Sequence, residues 1–351
     1  MVPLEPLGSK IKERGKVSIR VLWPSIHWGD DYAIESGALG QGVVGEFCAD
    51  FEEVSDEQWA NCEGVVGTLD IPEEHVGKMQ RCRIFVKRTV GYDNIDLKRW
   101  GQLGVPVCNN PGYGTREVAD HAIALMLTFM RGVSFHNERL RRDPAGNWSR
   151  TLNPFAQRLS GCTFGVVGLG RVGSAAAVRA QAFGMDVLYY DPYKAPADVS
   201  IAVSRAENLS ELMGRSDVVS LHAPLNAETR QMIGVDALKA ARPGLILINT
   251  ARGALIDLDA LYQAMKQEVV LAAGLDVLPR EPADTEDPLI RAWHTGEEWI
   301  RDRLILTPHH AFFTPQSLRD MRAFAAQTAA RYLRDGRLEN CVNEEFLQFR
   351  R

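Results

Sequence analysis

The stretch "TFGVVGLGRVGSAAAVRAQAFG", Thr163 to Gly184, constrains the fold more than any other part of the chain. A short β-branched run leads into Gly168-x-Gly170-x-x-Gly173, and an Ala-rich helical pattern follows. Such a glycine triplet alone is weak evidence, but a strand before it and a helix after it supply a mechanism. The glycines permit a tight turn and let backbone N–H groups at the helix start approach a pyrophosphate. The next apolar run, "MDVLYYD", ends in Asp191. A carboxylate there accepts from both hydroxyls of an adenosine ribose and repels a 2′-phosphate. The pattern predicts a dinucleotide site that prefers NAD(H) to NADP(H), with Lys194 nearby as a competing charge.

The rest of the chain repeats the same alternation. "TFGVVGLG", "MDVLYYD", "DVVSLHAP", "GLILINTARG", "LAAGLDV" and "RLILTPHH" predict six parallel strands, a complete doubly wound domain. In the first hundred residues, "VSIRVLW", "EGVVGTL" and "RIFVKRT" read as buried strands, and "VPVCNNPGYG" as another closing in a turn. Their spacing implies βαβ units. The expected class is therefore α/β, with two Rossmann-like doubly wound parallel-sheet domains, and 351 residues suffice for both. "TREVADHAIALMLTFMRG" predicts a helix apolar on nearly every face and so buried on all sides, between domains or against a second subunit. "HNERLRRDPAGNWSRTLNPFAQRLSG" reads as an exposed arm or helix pair, and "TPQSLRDMRAFAAQTAARYLRDG" as an amphipathic helix capped by Gly336.

Several classes are disfavoured. A net charge of −5 gives no basic excess for a nucleic-acid partner. The six cysteines show no C-x-x-C pair and no histidine cluster beside them, which predicts no metal site and no disulfide framework but thiols kept reduced in a cytosol. The amino-terminal "MVPLEPLGSKIKERGK" lacks the apolar core of a signal peptide. The longest apolar run, "AIALMLTFM", falls short of the roughly 20 residues that span a bilayer, so a cytoplasmic protein with no membrane partner is expected.

Three polar groups stand at the carboxyl ends of late strands, where open α/β sheets bind their ligands. They are Arg252 in "INTARGALID", Glu281 in "GLDVLPREP", and His309 or His310 in "LTPHH". An arginine fork suits a carboxylate and an adjacent carbonyl oxygen. A carboxylate beside a histidine favours the protonated ring, ready to donate to a carbonyl. These residues alone leave both histidines as candidates.

The pieces "VGYDNIDL", "TREVADHA", "VGLGRVG", "YYDPY", "NTARGALID", "LDVLPREP" and "TPHHAFFT" resemble, in order and spacing, the D-isomer-specific 2-hydroxyacid dehydrogenase family. The likeness runs from about Arg81 to Asn343 and is nearest to the family's C-terminal-binding-protein branch, through "GYDNIDL", "RAQAFGMDVLYYDPY" and "ENCVNEEFL". It implies an NAD-binding domain over 111–314, a discontinuous substrate-binding domain over 1–110 and 315–351, and a cleft between them; the buried helix with its arm then predicts a homodimer, the commonest symmetric assembly. The implied reaction passes a hydride between NADH and C2 of a small 2-keto acid, as in glyoxylate and hydroxypyruvate reductases. The alternative it carries is an NAD(H)-sensing regulatory scaffold with weak dehydrogenase activity.

Residue by residue, the resemblance makes Arg252, Glu281 and His309 catalytic. His309 becomes the acid/base, and His310 stands where many relatives carry a small or apolar residue. Substrate contacts fall on Val66, Gly67, Thr68, Lys87 (with Arg88 as its rival), Arg252 and Phe312, the last replacing a tryptophan of the branch. Cofactor contacts fall on Thr115, Gly168, Gly170, Arg171, Val172, Gly173, Asp191, His222, Ala223, Pro224, Thr229, Thr250, Ala251, Asp276 and His309, with Asp276 as the acid that accepts the nicotinamide carboxamide proton. The segment 282–303, with Trp293 and Trp299, either shapes the pocket or covers the sheet edge.

Overall fold

In the computed structural model, residues 18–26 and 30–349 are described, and the polar amino-terminal stretch Met1–Lys16 lies outside them. The strands among these residues form two all-parallel sheets. The chain divides into two compact units, one made of the chain through Gly112 with the chain from Arg319 onward, the other of Tyr113–Leu318.

The smaller unit holds β1 (Ile19–Trp23), β2 (Val43–Phe47), β3 (Gly64–Gly67), β4 (Ile84–Lys87) and β5 (Val107–Cys108), in the order β2-β1-β3-β4-β5. The central strands read as continuous apolar runs because helices cover both faces. One of these is the carboxyl-terminal helix Pro315–Asp335, whose Ala325, Ala326, Ala329 and Ala330 pack with Val21, Val66, Ile84 and Val86. Strand β2 is the addition to the sequence reading. It lies at the sheet edge and is largely half-exposed, with Val44 open to solvent, so it lacks a buried strand's apolar run. In the same unit Arg322 forks onto fully buried Glu35, with Nε and Nη2 each 2.7 Å from a carboxylate oxygen. Its Nη1 and Nη2 also reach Asp30 at 2.6 and 3.0 Å.

The larger unit holds β6 (Thr163–Val167), β7 (Asp186–Tyr190), β8 (Ser204–Arg205), β9 (Val218–Leu221), β10 (Leu245–Asn249), β11 (Val270–Leu275) and β12 (Leu304–Leu306). Their order, β12-β11-β10-β9-β6-β7-β8, reverses direction between β6 and β9. That is the topological switch point at which doubly wound sheets bind nucleotides, and the glycine turn leaves β6 there. The sheet has seven strands where the sequence reading has six. The extra one, β8, is two exposed polar residues at an edge, with no apolar signature.

Helix Thr115–Arg131 corrects a second expectation. Ala119, Ala122, Ile123, Leu125, Met126, Phe129 and Met130 are buried, many of them against helix Arg171–Ala182, but Arg116, Asp120 and Ala124 form an exposed stripe at every fourth residue. Within this chain the helix is amphipathic, and its own unit does not bury it on all sides. In the 282–303 segment, Trp299 packs edge-on against Tyr262 with ring centroids 5.6 Å apart, and the Lys266 ammonium lies 4.5 Å from its ring centre. The segment thereby covers helix Leu258–Lys266 on the sheet flank. Among the described residues no single helix is long and apolar enough to cross a membrane, no cluster of three His, Cys, Asp or Glu side chains could hold a metal ion, and no disulfide joins the cysteines.

Candidate active site

The glycine turn is held by close backbone approach. Gly168 sits at φ +88°, and a Cβ on it would lie 2.7 Å from the Ala223 amide nitrogen. A Cβ on Gly173 would meet the Gly168 carbonyl at 2.1 Å, so the helix start and the strand end can touch only without side chains. At Gly170 a Cβ would find no atom within 4 Å. It would project into open space beside the first turn of helix Arg171–Ala182, where a phosphate would approach. Exposed Arg171 and half-buried Val172 follow in that turn.

Asp191 follows β7 directly and ties two loops together. One carboxylate oxygen accepts from the Leu169 amide in the glycine turn, the other from the Tyr193 amide, each at 2.9 Å. His222, after β9, meets Ser220 Oγ through Nε2 at 2.9 Å, while its Nδ1 is buried without a partner among the described residues. Burial pushes the His222 pKa down to about 4, so the ring is neutral near pH 7. Thr250 Oγ1, after β10, is a second buried polar atom with no partner among the described residues. Two orphaned polar atoms, a cradle open at Gly170 and a helix start at the switch point suit a bound dinucleotide. Thr229 ties its own loop together, its hydroxyl donating to the Pro224 carbonyl at 2.7 Å, and the Ala251 amide donates to Asn249 Oδ1 at 3.0 Å. Thr115 opens helix Thr115–Arg131.

The catalytic candidates come together at the ends of β10, β11 and β12. His309 Nδ1 lies 2.8 Å from Glu281 Oε2, and the other Glu281 oxygen accepts from the Leu278 amide at 3.0 Å. His309 occupies the left-handed backbone region at φ +53°, where non-glycine residues are uncommon. Asp276 holds it there. The Asp276 carbonyl accepts from the His309 amide at 2.8 Å, and its buried carboxylate accepts from Thr307 Oγ1 at 2.5 Å and from the His310 and Ala311 amides at 2.8 and 2.9 Å. Those three donors use most of the carboxylate's roughly four acceptor directions and leave about one for a further donor. His310 uses its side chain differently, stacking on Phe313 with centroids 4.7 Å apart. Phe312 meets Tyr113 edge-on at 5.7 Å.

Arg252 begins the turn after β10, with Nη1 donating to the Ala251 carbonyl at 2.7 Å. The next residue couples this turn to the Glu281 loop, since a Cβ on Gly253 would fall 1.9 Å from the Leu278 carbonyl carbon and 2.3 Å from the Pro279 nitrogen. Gly253→Ala must therefore push the two loops apart. Overpacking of this kind costs about 1–3 kcal/mol, so we expect both a lower unfolding midpoint in urea and a reduced kcat; a variant unchanged in both would show that the loops are not coupled.

Val66, Gly67, Thr68 and Lys87 form their own cluster in the smaller unit. Val66 and Gly67 are buried in β3, and the ammonium of buried Lys87 donates to the Thr68 carbonyl and, at 2.8 Å, to Asn94 Oδ1. Arg88 reaches Thr68 Oγ1 at 3.5 Å. Asn94, Thr307 and His121 were not singled out by sequence reasoning, although each lies in a quoted motif, "VGYDNIDL", "LTPHH" and "TREVADHA".

A family model described as D-isomer specific 2-hydroxyacid dehydrogenase, NAD binding domain, matches residues 123–311. A glyoxylate reductase of Korarchaeum cryptofilum is 34% identical over 304 residues, which cover 85% of this chain and 88% of that protein. Among solved structures, a D-lactate dehydrogenase from Aquifex aeolicus, complexed with NAD and lactic acid, is 30% identical with a TM-score of 0.73, covering 89% of this chain and 95% of its own. An NADPH-dependent glyoxylate/hydroxypyruvate reductase from Sinorhizobium meliloti, in complex with NADP and malonate, is 26% identical with a TM-score of 0.78, covering 95% of this chain and 98% of its own.

Proposed function

The chain belongs to the D-isomer-specific 2-hydroxyacid dehydrogenase family, and on that premise we propose that it reduces a small 2-keto acid of the glyoxylate or hydroxypyruvate type, with NADH preferred to NADPH. The observation that carries this reading is the 2.8 Å pair of His309 and Glu281, held beside the Arg252 turn in the unit that bears the glycine motif. When bound to the larger unit, the nicotinamide cofactor supplies the hydride. Its pyrophosphate is assigned to the Gly168–Gly173 turn and its adenosine ribose to Asp191. The orphaned His222 Nδ1 and Thr250 Oγ1 are assigned to contacts with it. The preference for NADH rests on Asp191, whose negative charge opposes a 2′-phosphate.

The chain's own residues do the following. The Arg252 guanidinium binds the substrate carboxylate and draws charge toward the carbonyl oxygen as it becomes negative. Glu281 accepts a hydrogen bond from the Nδ1–H of His309 and fixes the ring. That leaves Nε2 to hand its proton to the carbonyl oxygen, and in the oxidative direction to take it back. Lys87 and the amides of Val66, Gly67 and Thr68 are proposed as the smaller unit's contribution to anion binding. A homodimer is the proposed assembly.

Arg252→Ala separates binding from chemistry. We expect kcat/KM for the keto acid to fall by about 10²–10³-fold, while NADH affinity, read from the quenching or enhancement of nucleotide fluorescence, stays within about twofold of the parent. Loss of NADH binding in parallel would remove Arg252 from the substrate and return it to the cofactor.

A further inference from the structure

Helix Thr115–Arg131 brings one histidine to the base of the catalytic turn. His121 Nε2 lies 3.0 Å from Thr307 Oγ1 and 3.7 Å from Asp276 Oδ1. A threonine hydroxyl has one proton to give, and Thr307 gives it at 2.5 Å to the Asp276 carboxylate, both of whose oxygens already accept backbone amides. The His121–Thr307 bond must then run the other way, with His121 donating Nε2–H to the Thr307 oxygen. Half-burial pushes the His121 pKa down, which agrees with a neutral ring carrying its proton on Nε2. The chain of donors continues, because Asp276 receives the amides of His309, His310 and Ala311 on its carbonyl and carboxylate oxygens.

We propose that His121 is a positioning residue for His309, acting through Thr307 and Asp276. His121 sets the direction of the Thr307 hydroxyl, and the hydroxyl sets the rotamer of the Asp276 carboxylate. That carboxylate clamps the turn holding His309 at a backbone angle it would not otherwise keep. A misplacement of the order of an ångström, made far from the reacting atoms, can cost up to about 10²-fold in rate. This inference rests on the keto-acid reductase reading for its kinetic arm but has a second readout in the ligand-free protein.

With histidines labelled by ¹⁵N, the ring nitrogens of His121 should report the Nε2–H tautomer, and His121→Leu should shift the His309 ring signals while His121→Gln, which restores an N–H donor, leaves them near their parent positions. The Nδ1–H tautomer, or unmoved His309 signals in His121→Leu, overturns the proposal. In turnover assays His121→Leu should lower kcat by about tenfold or more with KM nearly unchanged, and His121→Gln should recover most of it. Combining His121→Leu with Thr307→Val should cost no more than the worse single change, since both cut one chain. Multiplying losses, or a fall only in melting temperature with kcat per folded molecule intact, would make the contact merely structural. If His121→Leu fails to fold, Thr307→Val and the tautomer carry the test alone. A parent protein inactive on every keto acid would break the reductase reading, whereas an active parent with an indifferent His121→Leu breaks only this one.

Discussion

Replacing His309 with alanine lowers kcat for keto-acid reduction by about 10²–10⁴-fold, the usual range for losing a positioned general acid, while His310→Ala keeps kcat within a few-fold of the parent. The two neighbours differ in what their rings touch. His309 is paired through Nδ1 with Glu281 at 2.8 Å and carries the unusual backbone angle, whereas the His310 ring stacks on Phe313 and only its main-chain amide serves Asp276. Alanine at 310 retains that amide. Glu281→Gln should fall between the two, because an amide oxygen still accepts from Nδ1–H and orients the ring, but through a weaker hydrogen bond than a carboxylate makes. Steady-state rates at saturating NADH decide it. Equal losses at 309 and 310 would mean that the second histidine shares the proton transfer.

The largest stability effect is expected away from that chemistry, at Glu35. Its carboxylate is fully buried and takes two hydrogen bonds from Arg322, itself 6% exposed. Removing one partner of such a pair leaves a buried charge uncompensated, at a cost of about 3–5 kcal/mol. Glu35→Ala should show that loss in urea unfolding, toward the lower end because Asp30 still holds Arg322 from the more exposed side. The double change Glu35→Leu with Arg322→Met should be clearly milder than Glu35→Ala alone, since no charge is then stranded. A loss under about 1 kcal/mol for Glu35→Ala would mean that water reaches the guanidinium. Asp30 adds a pH signature of known sign. Its hydrogen bond from Arg322 holds its carboxyl below the ordinary value of 3.8, so its contribution is complete above that pH and is lost as pH falls beneath it.

The grouping of the candidate site residues at strand ends was more legible than the edges of the fold, for a physical reason. Glycines that must touch backbone, a carboxylate after β7, and an Arg, a Glu and a His at successive strand ends are set by local chain geometry, and local geometry is written in sequence order. Strands β2 and β8 escaped because an edge strand can satisfy itself without an apolar run. The burial of helix Thr115–Arg131 was overestimated because alanine counts as apolar wherever it sits, and Ala124 lies on the exposed stripe with Arg116 and Asp120. The His121–Thr307 contact was invisible for a different reason. Its partners stand 186 positions apart, and only the packing of this helix in the larger unit brings them together. The resemblance gives Asp276 a role toward the nicotinamide, whereas its clamp on the turn that carries His309 is visible only in the structure.

Keto-acid reduction at the His309–Glu281 pair is decided by the rate at which the purified protein oxidises NADH, and separately NADPH, against glyoxylate, hydroxypyruvate, pyruvate, phenylpyruvate and bulkier 2-keto acids. Turnover is expected on at least one small member, faster with NADH than with NADPH, and lowered at least about 10²-fold in His309→Ala. Tight NADH binding with no turnover on any of them would contradict it.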